Sequence, residues 1–142
     1  MDITTVNPRD LGADCDACPL KHSVPWIPPT STSKLLVLAE HPVDSAQLFS
    51  PKVARLFAHA CSEAGVTAPA VSAVTLCRPP EDAPPALVAR AVKCCAPRLR
   101  NEIGTDRVVL AAGKLAAVAA GGSGTDFNAW RGAVQRLKGN TV

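Results

Sequence analysis

The sequence predicts an α/β fold, with a short central parallel sheet and helices on both of its faces. Three short apolar runs have the length and composition of buried strands, and helical periodicity follows each of them. Strands that alternate with helices are joined by crossover connections, which produce a parallel sheet. The chain has 142 residues, 47% of them hydrophobic, so we expect a single domain, 1–142, with a substantial core.

The first half of the chain predicts an irregular loop, a strand and a helix. Residues 15–33 contain four prolines and should lack regular structure. Residues 34–39 predict a buried strand, because the run is short, apolar and followed by turn-prone residues. In residues 52–64 apolar side chains recur at steps of three and four, with Pro51 at the start and Gly65 at the end, which predicts a helix. The apolar positions of this helix are Val53, Leu56, Phe57, Ala60, Cys61 and Ala64.

The second half repeats this alternation. Residues 70–76 predict a second strand, and a helix is expected to begin at residue 84 or 85 and to continue through residue 92. Residues 107–112 predict a third buried strand, and residues 114–120 return to helix. Ligands of open α/β sheets bind beyond the carboxyl ends of the strands, so the residues that follow each strand are site candidates. They are Glu40, His41 and Pro42, then Cys77 and Arg78, then Gly113 and Lys114.

Composition and charge limit the classes of protein to which this chain can belong. The apolar runs are far too short to cross a bilayer, and the N-terminus has no basic region followed by an apolar stretch. We therefore expect a cytoplasmic protein with no membrane partner. The net charge of +3 is compatible with a nucleic-acid partner without arguing for one. With no Tyr, 3 Phe and 2 Trp, an extended base-stacking platform is not expected.

Six cysteines in a reducing compartment favour metal binding or catalysis over disulfides. Cys15 and Cys18 form a C-x-x-C pair in a polar, proline-rich loop that has little to bury them. Four sulfur ligands drawn from this pair and from later cysteines suit a structural zinc ion or an iron–sulfur cluster equally well. The alternative is a set of dispersed buried cysteines, which fits Cys61 on its apolar helical face best. The later cysteines are Cys77, Cys94 and Cys95.

Five segments carry short motifs in a fixed order. Residues 15–20 read C-D-A-C-P-L, 38–42 read L-A-E-H-P, 75–80 read T-L-C-R-P-P, 95–99 read C-A-P-R-L, and 108–116 read V-V-L-A-A-G-K-L-A. In this order they resemble the C-x-x-C-x-L, G-E-x-P-G, K-C-R-P-P, C-x-P-Y-L and L-G-x-x-A motifs of the family-4 uracil-DNA glycosylases. The resemblance covers roughly residues 15–132, and its most specific part is the Cys-Arg-Pro-Pro block together with the C-x-x-C pair.

The resemblance implies a three-layer α/β/α fold of the uracil-DNA glycosylase type, a 4Fe-4S cluster and removal of uracil from DNA. Residues 1–33 would form a cluster-binding N-terminal loop, and residues 34–142 the α/β core. Cys95 is preferred to Cys94 because it stands in the C-x-P-x-L register. The cluster would be structural and close to the DNA surface. The implied ligands are Cys15, Cys18, Cys77 and Cys95.

Base excision needs a flipped nucleotide, a carboxylate near the developing sugar cation and a donor to the departing base. In the G-E-x-P-G register the resemblance implies that Glu40 would supply the carboxylate and that Ala39 and Pro42 would line the base, but both glycines of the motif are lost. The alternative for Glu40 is a solvated loop carboxylate with no functional role. Phe49 resembles the residue that stacks on the base, and a core phenylalanine under the loop is its alternative.

Two parts of the implied active site are missing. Ala73 stands where the family has an asparagine that reads the uracil edge, and alanine can neither donate nor accept a hydrogen bond through its side chain. The family's His-Pro-Ser motif has no counterpart, since no histidine follows His59. His41 is the one candidate that could replace that histidine, from the other side of the pocket.

These observations lead to three hypotheses. The first is an iron–sulfur DNA- or protein-binding module with lost or impaired base excision, in a replication, repair or phage-encoded assembly. The second is an active, divergent glycosylase that uses Glu40 or His41. The third is a zinc-stapled α/β scaffold without a nucleic-acid role. Basic side chains that could contact phosphates, or could simply be solvated, are Arg78, Lys93, Arg98, Arg100, Lys114 and Arg131.

Overall fold

The computed structural model describes residues 7–121, together with the backbone of 136–137 and 140–141. A 3-10 turn at Pro8–Leu11 precedes the strand β1 (Leu35–Ala39) and the helix α1 (Pro51–Ala64). The strand β2 (Ala70–Ala73), the helix α2 (Pro85–Ile103), the strand β3 (Val108–Ala111) and the helix α3 (Lys114–Ala119) follow. Two short strands, β4 (Arg136–Leu137) and β5 (Asn140–Thr141), end the order. The chain is an α/β protein, as the sequence predicts.

The strands form one sheet in the order β2-β1-β3-β5-β4. Its centre is parallel: Leu36 to Ala39 of β1 pair with Ala70 to Ala73 of β2, and the other edge of β1 pairs with β3. The strand β5 runs parallel to β3, and β4 runs antiparallel to β5. The carboxyl ends of β1, β2 and β3 therefore meet at one edge of the sheet, where the sequence predicts a site.

Both faces of β1 are covered, but by different kinds of structure. On one face, side chains of the three central strands pack with those of α2 and α3; this cluster includes Leu36, Leu38, Leu99, Val109 and Ala116. On the other face, the cover comes from loops, and its cluster comprises Trp26, Ala39, Leu48, Ala73 and Leu76. No helix among residues 7–121 is long and apolar enough to span a membrane.

The second strand is shorter than the predicted 70–76. Its pairing ends at Ala73 because β1 ends opposite, at Ala39. Two further backbone hydrogen bonds, from Val74 N to Ala39 O and from Thr75 N to Glu40 O, keep the two segments side by side as they leave the sheet. Residues 74–76 stay fully buried nonetheless, which explains why their composition resembles that of a strand.

The helix α2 is longer than predicted, and it runs past Pro97 to Ile103. Proline removes one backbone donor inside a helix and crowds the preceding turn, so it commonly marks a helix end. Here the turns after Pro97 are held by tertiary contacts, because Arg98, Leu99 and Ile103 are all buried. Tertiary packing outweighs the local cost of the proline.

Two apolar surfaces that the sequence predicts to be buried are exposed among the described residues. The helix α1 begins and ends where predicted, with Ser50 and Gly65 as caps, but none of its residues is buried. Leu56 on α1 is 68% exposed, and Leu110 on β3 is 54% exposed. Within the described part of the chain, one face of β3 is therefore covered and the other is not, and α1 contributes no buried residue to these two core clusters.

Candidate functional site

Five of the six cysteines line a single cavity of about 350 Å³. They come from three regions of the chain: the N-terminal loop, the segment that follows β2, and the middle of α2. Cys18 is buried and the other four are partly exposed. Thus Cys15, Cys18, Cys77 and Cys95 lie around one space, and Cys94 joins them. Cys61, on α1, lies elsewhere.

The N-terminal loop is held against this cavity by backbone bonds to the two other regions. Asp14 N donates to Cys94 O at 2.9 Å, which ties the loop to α2. Trp26 N donates to Leu76 O at 2.8 Å, which ties the loop to the segment after β2. The Trp26 side chain is buried in the loop-covered core. The cavity is thus bordered by an irregular segment whose position is set at both of its ends.

The thiols are close enough to perturb one another. Burial, and after it the nearby thiols of Cys95, Cys18 and Cys15, together raise the pKa of Cys77 to about 11. Burial also raises the pKa of Cys15, with Cys95 as the next contributor, while Arg9 opposes the shift. The pKa of Cys94 is raised by burial and then by Cys18 and Asp14. A cation in the cavity would relieve this repulsion, and its binding would release protons.

The cavity offers thiols, which are ligands that zinc ions and iron–sulfur clusters both use, so the donor set fits either centre in chemistry. Among residues 7–121 no group of three or more His, Cys, Asp or Glu side chains is placed to hold a metal ion. A centre bound in the cavity would draw its ligands from three regions of the chain.

Glu40 crosses the end of the sheet to reach α3. Its Oε2 accepts a hydrogen bond from Leu115 N at 2.8 Å. The backbone passes so closely that a Cβ at Gly113 would lie 2.7 Å from Cδ of Glu40. Gly113 also has φ 106° and ψ 163°, a region that only glycine adopts readily. Glu40 is therefore a partly buried carboxylate with a fixed backbone partner, which differs from the solvated loop carboxylate weighed as its alternative.

His41 is linked through Thr75 to the cysteine site. His41 Nδ1 lies 2.5 Å from Thr75 Oγ1, and Thr75 Oγ1 donates to Cys77 O at 2.8 Å. Because the hydroxyl has one proton and gives it to Cys77, Thr75 must accept from His41 Nδ1. This assignment leaves Nε2 as the acceptor of the neutral ring. Burial lowers the pKa of His41, and Arg78 lowers it as well, while Glu40 acts in the opposite direction.

The residues expected to hold the base are mostly inaccessible. Ala39 and Ala73 are 6% and 0% exposed, and both belong to the loop-covered core. Pro42 is fully buried. Phe49 packs against that core and lies 5.4 Å, between ring centroids, from Phe57 of α1. In this conformation Phe49 has the contacts of a core phenylalanine.

Arg98 is neither a phosphate contact nor a solvated surface charge, the two alternatives that its sequence left open. Its side chain is 0% exposed and ion-paired with Glu102 at 2.5 Å. Sequence reasoning missed this role; the i,i+4 spacing of Arg98 and Glu102 on one helix was the available signal. The exposed basic candidates are Arg78, Lys93, Arg100 and Lys114. Arg131 lies outside the described residues.

No protein-family model matches the chain, and a search of curated proteins finds no match. The relation to the uracil-DNA glycosylases therefore stays a prediction that depends on the five sequence motifs. The geometry of the cysteine cavity is independent of those motifs, since it follows from the fold.

Proposed function

We propose that the protein is an iron–sulfur, uracil-DNA-glycosylase-like module that binds DNA or a protein partner, with base excision lost or impaired. The observation that carries the proposal is the cavity of about 350 Å³ that brings Cys15, Cys18, Cys77 and Cys95 together. When bound, a 4Fe-4S cluster would supply a rigid, covalent link between the three regions that hold these residues. Its role would be structural.

Impaired excision is supported by the state of the loop after β1. One oxygen of the Glu40 carboxylate accepts a hydrogen bond from the backbone of Leu115, and the position that would read the base edge, Ala73, has no exposed surface. Excision requires a pocket that admits a flipped base and contacts its polar edge. Ala73 has no polar group to contact the edge of a base. The Glu40 carboxylate is held by the first turn of α3, which leaves it poorly placed to act on a flipped nucleotide.

An active, divergent glycosylase is the second candidate, and His41 is the observation that favours it. Its lowered pKa and its bond to Thr75 give a neutral imidazole with Nε2 as acceptor, next to Glu40 at the carboxyl edge of the sheet. Such a group can accept a proton from water. A zinc-stapled scaffold is the third candidate, and it would use the same thiols of the cavity.

The experiment compares binding and excision on labelled single-stranded DNA that carries one uracil, with a thymine oligonucleotide as reference. We expect salt-dependent binding of both oligonucleotides with similar affinity, and no more abasic product than buffer gives. Glu40→Ala is compared with Glu63→Ala, an exposed carboxylate of α1. Excision by the wild type that falls roughly 100-fold or more in Glu40→Ala alone would establish the active alternative. Absence of binding to either DNA would leave a protein partner as the function to pursue.

A further inference from the structure

Arg98 is the one fully buried cation among the described residues, and its contacts all lie at the end of β2 or on its own helix. Nη2 donates to Ala73 O at 2.6 Å and to Val74 O at 2.9 Å. Nη1 donates to Ser72 Oγ at 3.0 Å and to Glu102 Oε2 at 2.5 Å. One guanidinium thus joins α2 to the backbone of the strand end.

These carbonyls need a donor because the sheet ends there. Ala73 is the last residue of β2 that pairs with β1 and Val74 lies just beyond it, and Arg98 reaches the carbonyls of both in a buried position. A buried carbonyl without a partner is costly. The planar fork of arginine can satisfy two neighbouring carbonyls at once, whereas the compact ammonium of lysine cannot reproduce that arrangement.

The position of this contact in the chain connects it to the cysteines. Arg98 follows Cys95 by three residues on α2, close to one helical turn, and Val74 precedes Cys77 by three residues. The distance between the two backbones at Arg98 therefore limits the distance between the two thiols. The N-terminal loop also approaches here, since a Cβ at Gly12 would lie 3.5 Å from Cα of Arg98.

We propose that Arg98 is the positioning residue of the cysteine site: by fixing α2 to the end of β2, it sets the separation of Cys77 and Cys95 before a metal binds. The inference rests on the proposal that the cavity holds a metal centre. It does not depend on whether that metal is iron or zinc, or on any activity toward DNA.

Arg107 provides a matched control. It also holds backbone carbonyls: Nε donates to Ser33 O at 3.1 Å, Nη1 donates to Glu102 O at 2.9 Å, and Nη2 donates to Ser31 O. These contacts lie at the opposite end of the sheet from the cysteines. Arg107→Lys therefore removes a similar set of hydrogen bonds from an arginine to backbone carbonyls, at a distance from the cysteines.

The test is a titration of the reduced, metal-free protein with Co²⁺, read by the thiolate-to-cobalt absorption, alongside the free energy of unfolding. Arg98→Lys keeps a cation beside Glu102 but loses the paired hydrogen bonds to the carbonyls of Ala73 and Val74. We expect roughly 10- to 100-fold weaker Co²⁺ binding and a weaker thiolate-to-cobalt absorption. Arg107→Lys should lose stability but bind Co²⁺ like the wild type. Arg98→Gln should behave as Arg98→Lys does or worse, and if it does not fold, Arg98→Lys decides.

Two outcomes overturn the inference while leaving the proposed function intact. One is wild-type Co²⁺ affinity in Arg98→Lys. The other is a loss of affinity that is equal in the Arg98 and Arg107 variants and follows their loss of stability. If the wild type binds no Co²⁺, the iron retained after purification without oxygen is compared in the same variants. A wild-type protein that holds neither Co²⁺ nor iron nor zinc would instead refute the metal centre itself, and the two failures are therefore distinguishable.

Discussion

The carboxylate of Glu40 and the backbone of Gly113 meet at the carboxyl end of the sheet, 73 positions apart in the chain. The sequence placed both residues directly after strands, and so at one edge of a parallel sheet. It gave no sign that the carboxylate would accept a hydrogen bond from Leu115. That contact depends on the path of α3 as it leaves β3, which no local pattern encodes.

Gly113→Ala should destabilise the protein by about 1–3 kcal/mol, because alanine is strained at this φ and ψ. The clash of its Cβ with Glu40 should add to that cost. Urea unfolding of the single variants and of the double variant Gly113→Ala/Glu40→Ala measures the two parts separately. The double variant should recover part of the loss. Strict additivity of the two substitutions would contradict the contact.

His41 predicts a pH dependence of stability. Burial keeps the pKa of His41 below its ordinary value of 6.5, so the folded protein binds this proton less tightly than the unfolded chain. The contribution of His41 to the free energy of unfolding is therefore complete above pH 6.5, and it is lost as the pH is lowered toward the pKa of His41 in the folded protein. In His41→Gln this loss should shrink, whereas His59→Gln, on an exposed site of α1, should keep it.

The measurement is urea unfolding at pH 7.5 and at pH 5.5 under reducing conditions, for the wild type and both variants. A loss of stability on acidification that is the same in all three proteins would show that His41 is not its source.

At the scale of the elements, the three central strands and three helices follow from periodicity and from their capping residues. Ser50 and Gly65 cap α1 through a side-chain oxygen and a left-handed residue, and both signals can be read from the sequence. The end of β2 cannot, because it is set by the length of β1. The extension of α2 past Pro97 cannot either, because it depends on the buried contacts of Arg98.

The apolar faces of α1 and β3 mark a second limit of sequence reasoning. Periodicity shows that a helix has an apolar side, but not what lies against it. Leu56 and Leu110 have the residue type of core positions, yet both are more than half exposed among the described residues. Burial is a property of the assembled fold, and a pattern along one element does not determine it.

At the scale of the whole molecule, five cysteines come together from segments that the sheet alone does not hold. The N-terminal loop contributes no strand, and its attachment depends on a few backbone bonds, on Trp26 and on the cysteine cavity. From the sequence, a C-x-x-C pair and later cysteines predicted convergence on one site. The participation of Cys94 beside Cys95 came from the structure, since both thiols border the cavity from adjacent positions of α2.

The most direct measurement is the iron and acid-labile sulfide content of the protein purified without oxygen and without reconstitution. Wild-type protein and Cys61→Ser should hold equal amounts of iron and sulfide, about four of each per chain, with a brown thiolate-to-iron absorption. Cys77→Ser, which removes a thiol of the cavity, should lose most of both. Zinc in place of iron, no bound metal, or full iron and sulfide in Cys77→Ser would contradict the proposed centre.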